Sequence, residues 1–112
     1  MANRNQPSVS NGTTEVIVLA SPSASTTRTI GAGWINITNL DTASIVVTLQ
    51  FADGAVNTVL ESAITIAVGD SWSNDKNVYT LDANTQQLEV FLAGAVATTE
   101  ADIMVSYRDE VQ

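Results

Sequence analysis

The sequence predicts an all-β protein: an antiparallel β-sandwich, jelly-roll-like, of about eight strands. Three observations predict it. Short apolar stretches recur between Glu15 and Tyr107 at a spacing of about ten residues, with turn residues between them. Several of them alternate apolar and polar residues, most clearly residues 44–51, where every odd position is apolar. No long stretch keeps the 3.6-residue period of an amphipathic helix.

The chain has the length of one domain, at 112 residues. We expect residues 1–13 to form a flexible N-terminal arm, because they are polar and include Pro7 and Gly12. Residues 14–112 are expected to form a single β-sandwich domain. Whether the arm orders against a neighbouring subunit or stays a frayed end is left open by the sequence.

The predicted strands follow one another along the chain with turns between them. They are 14–20, 26–30, 34–40, 43–51, 56–60, 63–68, 78–81, 87–93 and 101–107. Turn residues at 39–42 predict a hairpin between the third and fourth strands, and Asp53-Gly54 predicts the next hairpin. Gly69-Asp70 predicts a further turn. We expect residues 73–77 to be an exposed loop and Arg108 onward to be a short charged tail.

The charge pattern limits the possible partners. Twelve acidic and four basic residues give a formal net charge of −8, and the basic residues form no stripe. Nucleic acids and anionic membrane surfaces are therefore not expected as partners, because both are bound through clustered Lys and Arg. No apolar run approaches the roughly 18 residues of a membrane helix.

Charged residues are scarce, at 14% of the chain against about 25% in a typical domain. A strand-rich surface with so little charge exposes edges that pair with other chains. We therefore expect other subunits to cover some edges or faces. Pro, Gly or β-bulges at the edges would give the same protection and remain an alternative.

The residue types that most often carry catalysis are missing, since the chain contains no His and no Cys. This excludes Ser-His-Asp and Cys-His arrangements and the usual zinc ligand sets. Asp70, Asp75 and Asp82 could act as paired carboxylates or bind Ca²⁺, but Asp is also expected there because it favours turns. We expect no enzymatic activity, no cofactor and no resident metal.

Two tryptophans stand out among the few aromatic residues. Trp34 lies on the polar side of its predicted strand, and Trp72 follows a turn. An exposed indole is a good anchor for a protein partner or a sugar ring. The alternative is that both rings cover one end of the core.

Four segments together resemble a known group of proteins. They read WINITNLDTASIVVTLQF, ITIAVGDSW, YTLDANTQQLEVFLAG and DIMVSYRDE. Over about residues 15–110 the chain resembles the small β-sandwich virion structural proteins of tailed bacteriophages. The resemblance implies a capsid decoration (cement) protein in the virion, assembled in the host cytoplasm. It would bind the outer surface of the shell as a homo-oligomer, commonly a trimer, with the major capsid protein or another virion protein as partner.

The alternatives are a tail or fibre protein and a carbohydrate-binding adhesion module for the host surface. In a decoration protein we expect the N-terminal arm, the edge strands and the exposed tryptophans to make the contacts. The residues predicted to contact a partner are Arg4, Val16, Val18, Trp34 and Trp72.

Overall fold

The computed structural model describes residues 3–54, 56–82 and 85–111, and these residues form strands and loops without a helix. The described residues contain ten strands in chain order. They are β1 (Arg4–Ser10), β2 (Val16–Leu19), β3 (Thr26–Ile30), β4 (Ile35–Thr38), β5 (Ile45–Asp53), β6 (Val56–Ile66), β7 (Ser71–Ser73), β8 (Tyr79–Leu81), β9 (Gln86–Leu92) and β10 (Ala101–Val111).

The strands form two antiparallel sheets that pack face to face. A six-stranded sheet has the order β7-β4-β10-β3-β8, with β1 also paired to β10, and a four-stranded sheet has the order β2-β9-β5-β6. β4 and β3 pair with successive parts of β10, and β7 and β8 pair with β4 and β3 in turn. β3 and β4 together therefore act as one interrupted strand, and β7 and β8 act as another.

Counted in this way, the ten strands become eight. The first then pairs with the last, the second with the seventh, the third with the sixth and the fourth with the fifth. This is the jelly-roll arrangement, in which one long hairpin folds over on itself to give two sheets. The predicted fold class is confirmed.

The core fills the space between the sheets with aliphatic side chains from alternate strand positions. The largest fully buried side chains are Leu19, Ile30, Ile35, Ile37, Leu49, Leu81, Leu88, Leu92, Val18, Val47, Val90 and Val105. Both sheets contribute to this list, and the pattern in residues 44–51 is correct, since Ile45, Val47 and Leu49 are buried.

The predicted hairpin between residues 34–40 and 43–51 is wrong, because β4 and β5 lie in different sheets. The fully buried Asn39 redirects the chain between them. Its side-chain Nδ2 donates to the carbonyls of Ala43 and Ile66, both at 2.9 Å, and its Oδ1 accepts from Asp41 N at 2.8 Å. Its backbone N–H donates to Asp70 O at 2.9 Å. Asn39 thus links the connection from β4 to β5 with the connection from β6 to β7. Both connections run from one sheet to the other.

Asp41 fastens the same corner to the connection after β9. Its carboxylate accepts hydrogen bonds from the backbone N–H groups of Ala97, Thr98 and Thr99, at 2.8, 2.8 and 3.2 Å. The Thr98 hydroxyl donates to it as well. These hydrogen bonds, Ala97 first, hold the pKa of Asp41 well below its usual range, because they favour the ionised form. The carboxylate is structural.

The stretch 73–77, expected to be an exposed loop, contains one buried residue. Asn74 is 2% exposed and lies where both interrupted strands break. Its Oδ1 accepts from Ile35 N at 2.8 Å, and its Nδ2 donates to the carbonyls of Gly31 and Asn77. This side chain supplies the hydrogen bonds that the broken strands cannot make to each other.

The stretch from Arg108 onward, expected to be a charged tail, belongs to β10 as far as Val111. Arg28 lies directly opposite Asp109 and binds it with two parallel hydrogen bonds of 2.8 and 3.0 Å. The guanidinium also lies over the Tyr107 ring, 4.5 Å from its centroid. The Arg28 side chain lowers the pKa of Asp109, and this pair extends β10 beyond its apolar part.

Two further strands differ from the prediction. The predicted strands 56–60 and 63–68 are joined in one strand, β6, which ends at Ile66. It carries extra residues relative to β5 at two register shifts and has a positive φ of 53° at Ala63. The Asp53-Gly54 hairpin that leads into β6 is confirmed, with φ of 61° at Gly54. Within residues 1–13, expected to be an arm, the structure places β1, which pairs with β10 over its whole length.

Candidate assembly surface

The outer face of the six-stranded sheet carries a groove of about 390 Å³ that is open to solvent. Residues directly opposite each other in an antiparallel pair share a face. Val9 lies opposite Asp102, and Pro7 opposite Met104. On the other side of β10, Asp102 and Met104 lie opposite Thr38 and Asn36. Three neighbouring strands therefore bring these six side chains into two adjacent rows across the sheet.

The groove combines exposed apolar side chains with uncharged polar ones. Val9 is 43% exposed and Met104 is 40% exposed, although both lie within paired strands. Asn36 and Thr38 add an amide and a hydroxyl, and Asp102 is the only charged residue among the described residues that line the groove. An apolar centre with a polar, hydrogen-bonding rim is the composition of protein–protein contact surfaces.

The outer face of the four-stranded sheet is different, because a polar network covers it. Gln50 on β5 donates to Glu89 on β9 at 2.8 Å and also to Glu15. Gln87 donates to the second oxygen of Glu89 at 2.7 Å. Glu89 is only 8% exposed, so this buried carboxylate is held by side-chain amides. The network joins the two central strands of this sheet.

The described residues contain no group of three or more acidic, His or Cys side chains that could hold a metal ion. Asp70, Asp75 and Asp82, the carboxylates considered for Ca²⁺ or for glycoside hydrolysis, are each exposed in connecting segments. Across residues 3–54, 56–82 and 85–111 there is also no helix of the length and apolarity needed to cross a membrane.

The predicted contact residues are not brought together into one site. Arg4 is exposed at the start of β1, opposite Tyr107. Val16 is half-buried and packs against the core from β2. Val18 is fully buried in the core, so its side chain is not available on the outer surface.

Both tryptophans are half-buried and pack against the hydrophobic core. Trp72 lies opposite the buried Ile37 on the neighbouring strand. The Trp34 ring lies against Gly31, where an added Cβ would be 2.6 Å from the ring atom Cε2. Gly31 is therefore needed for the ring to reach this position, which gives Trp34 a structural role at the end of the core.

The groove residues Val9 and Met104 were missed as contact candidates. Met104 could have been found, because it alternates with Ile103 and Val105, which the sequence predicts to face inward. Val9 could not, since it lies in the segment that was expected to be a flexible arm. The position of Val9 depends on its pairing with β10, which no local pattern indicates.

The comparisons with known proteins show the fold. No family model and no curated protein matches the chain. A solved structure of Bacillus endospore appendages, described as a novel family of disulfide-linked pili, contains a similar chain. The two share 17% sequence identity with a TM-score of 0.54, over 98% of this chain and 85% of that chain. At this identity the likeness supports the same all-β sandwich architecture.

Proposed function

We propose that the protein is a structural subunit of a multi-copy assembly and that it acts by contact through a sheet face, without catalysis. The observation that carries this proposal is the groove across β1, β10 and β4, where Val9 and Met104 are exposed among mainly uncharged side chains. A low charge and an apolar centre reduce the desolvation cost of covering such a face.

The condition of the sheet edges also favours contact through a face. β1, at one edge, contains Pro7, which has no N–H to donate. β6 carries two bulges, and β2, β7 and β8 have four residues or fewer. Proline, bulges and short strands are the devices that prevent edge-to-edge pairing. The scarcity of charge is thus compensated at the edges, whereas the groove has no such protection.

Within this class, the resemblance to phage virion proteins supports a capsid decoration protein. In this role the chain binds the outer surface of the shell as a homo-oligomer, with a trimer as the expected form. Its partner is the major capsid protein or another virion protein, and its location is the virion. Many weak contacts repeated by symmetry would provide the stabilisation, because avidity increases with the number of linked contacts.

A filament subunit is the second candidate, and the likeness to the Bacillus appendage chain supports it. Those pili are described as disulfide-linked, whereas this chain contains no Cys. A filament of this protein would therefore be held by noncovalent contacts. In a tail or fibre of a virion, the copies of this chain would likewise be held by noncovalent contacts.

The carbohydrate-binding alternative depended on an exposed tryptophan as a stacking platform. Trp34 and Trp72 both pack against the core, which leaves less indole surface for a sugar ring. The groove has no aromatic residue among its described lining. These observations favour a protein partner over a glycan.

A charge placed in the groove tests the proposal. Met104→Lys should abolish or strongly reduce both self-assembly, measured by light scattering and electron microscopy, and binding to emptied phage shells. Val78→Lys is the matched control, because Val78 is 61% exposed outside the groove and the change in net charge is identical. If Met104→Lys assembles and binds as well as Val78→Lys does, contact through this face is wrong.

A further inference from the structure

β1 has an unusual face pattern for a strand of a sandwich. Its positions opposite the buried Ile103 and Ala101 are Ser8 and Ser10, so both serines face the core. Its only aliphatic residue, Val9, faces solvent. A shift of the register by one residue would reverse this pattern. The hydrophobic effect therefore contributes little to holding β1 in place.

The hydroxyl groups of the two serines also weaken the docking of β1. The Oγ atoms of Ser8 and Ser10 are buried and have no hydrogen-bond partner among the described residues. A buried hydroxyl without a partner loses its hydrogen bonds to water and gains none in return. Docking of β1 therefore carries a cost at two of its seven positions.

The backbone ladder is the main attachment of β1. All seven residues pair with β10, and one side-chain bond adds to them, from the Ser106 hydroxyl to Asn5 at 2.6 Å. Backbone hydrogen bonds do not depend on which copy supplies the strand. The edge of β10 needs a strand because Ile103 and Val105 are buried beside it, but it does not need the strand of its own chain.

The connection from β1 to β2 can act as a hinge. It consists of residues 11–15, of which Thr13, Thr14 and Glu15 are exposed. Two backbone bonds fasten its start, from Val96 N to Asn11 O at 3.0 Å and from Leu92 N to Gly12 O at 2.9 Å. Extension of these five residues spans roughly 17 Å, enough to carry β1 away from its own β10.

The charge distribution also favours pairing of β1 with residues 14–112, because the two parts carry opposite net charge. The chain has a formal net charge of −8, and Arg4 is the only charged side chain in residues 1–13, so residues 14–112 carry −9. The positive charge of Arg4 contributes to lowering the pKa of Asp109 near its docking position. A basic strand and an acidic acceptor are thus complementary, within one chain or between two.

From these observations we infer that β1 is exchanged between copies: β1 of one copy pairs with β10 of a second copy in the same antiparallel register. Reciprocal exchange gives a closed dimer, and exchange passed from copy to copy gives a ring or a filament. The inference deepens the proposed function, on which it rests, by naming a second copy of this chain as the partner and β1 as the element that binds it.

Cysteine cross-linking tests the inference, because the chain has no native Cys. Val9 and Asp102 lie directly opposite each other on the outer face. Such a pair has a Cα separation of about 4.5–5.5 Å, within the range that a disulfide bridges. An unlabelled Val9→Cys chain is mixed with an isotope-labelled Asp102→Cys chain, equilibrated, oxidised and analysed by mass spectrometry.

Exchange predicts that the mixed disulfide forms several-fold more than in a control mixture in which Val78→Cys replaces Val9→Cys. Equal yields in the two mixtures would overturn the inference. In the double variant Val9→Cys/Asp102→Cys, exchange predicts covalent oligomers whose share rises with protein concentration. An internal disulfide at every concentration would show that β1 stays on its own chain.

Two measurements separate this inference from the proposed function. If the double variant, oxidised as a monomer, still assembles, then exchange is wrong while assembly through the sheet face stands. Hydrogen exchange tests the premise that β1 is loosely held: amides of β1 should exchange at least about tenfold faster than those of β4, which pairs with the same strand β10. Equal protection of the two strands would contradict it.

Discussion

Replacement of Asn39 by Ala should destabilise the protein strongly, although it changes a single side chain outside the strands. Three backbone groups lose their partner: the carbonyls of Ala43 and Ile66 and the N–H of Asp41. Asn39 is fully buried, so water does not reach these groups without opening the corner. Each lost hydrogen bond costs about 1 kcal/mol, and more where the partner remains buried.

The expected loss is therefore about 3 kcal/mol or more of the free energy of unfolding. A domain of this size has about 5–15 kcal/mol in total, so the loss is a large fraction of its stability. With a urea dependence of about 2 kcal/mol/M, the midpoint of unfolding should fall by about 1.5 M. Equilibrium unfolding in urea, followed by tryptophan fluorescence, measures this shift.

Asn36→Ala is the matched control, because Asn36 lies on the adjoining strand and is exposed. Its side chain makes one long hydrogen bond, 3.3 Å to Gly33 O. Its removal should change the stability by no more than about 0.5 kcal/mol. If Asn39→Ala costs less than about 1 kcal/mol, or no more than Asn36→Ala, the account of this corner is refuted.

Three further predictions test other contacts. Asp41→Asn should make the connection after β9 exchange its amide hydrogens faster, because an amide NH₂ then faces a backbone N–H. Folding lowers the pKa of Asp41. The stability advantage of the wild type over this variant is therefore present above about pH 4 and is lost as the pH falls through the folded-state pKa. Arg28→Lys should lower the free energy of unfolding in urea by about 1 kcal/mol at pH 7, since Lys cannot bind Asp109 with two parallel hydrogen bonds. This loss should shrink in acid as Asp109 is protonated. An unchanged loss at low pH would contradict the ion pair. Gly31→Ala should displace the Trp34 ring and shift its fluorescence, because the new Cβ would lie 2.6 Å from the ring. An unchanged spectrum and melting temperature would show that the ring is not held against Gly31.

The sequence was sufficient for the elements that repeat a local pattern. Alternation of apolar residues places Val47 and Leu49 in the core, and the Asp53-Gly54 turn predicts the hairpin of β5 and β6, which are neighbours both in sequence and in the sheet. Both signals act over a few residues, so they can be read without knowledge of the fold. The absence of a long helical period was equally informative about fold class.

The elements that depend on distant partners could not be predicted. β1 has almost no apolar residues, and its place is set by the ladder to a strand about a hundred residues away in sequence. The end of β10 reads as a charged tail until Arg28 is known to lie opposite Asp109. Asn39 favours a turn in any sequence, but its burial between two crossing connections depends on the jelly-roll topology. In each case the deciding contact is long-range and polar.

The scarcity of charge on this chain acquires a more specific meaning from the structure. Taken alone it predicts that edges or faces are covered by other subunits, yet the edges carry Pro7, the bulges of β6 and strands of four residues or fewer. Edge protection of this kind prevents uncontrolled pairing with the strands of other chains. Under the proposed function, the sparsely charged face around Met104 and the strand β1, with its two unpartnered serine hydroxyls, are the two routes of contact with other copies. In that proposal, protected edges and an unprotected face restrict association to one geometry, which a structural subunit requires.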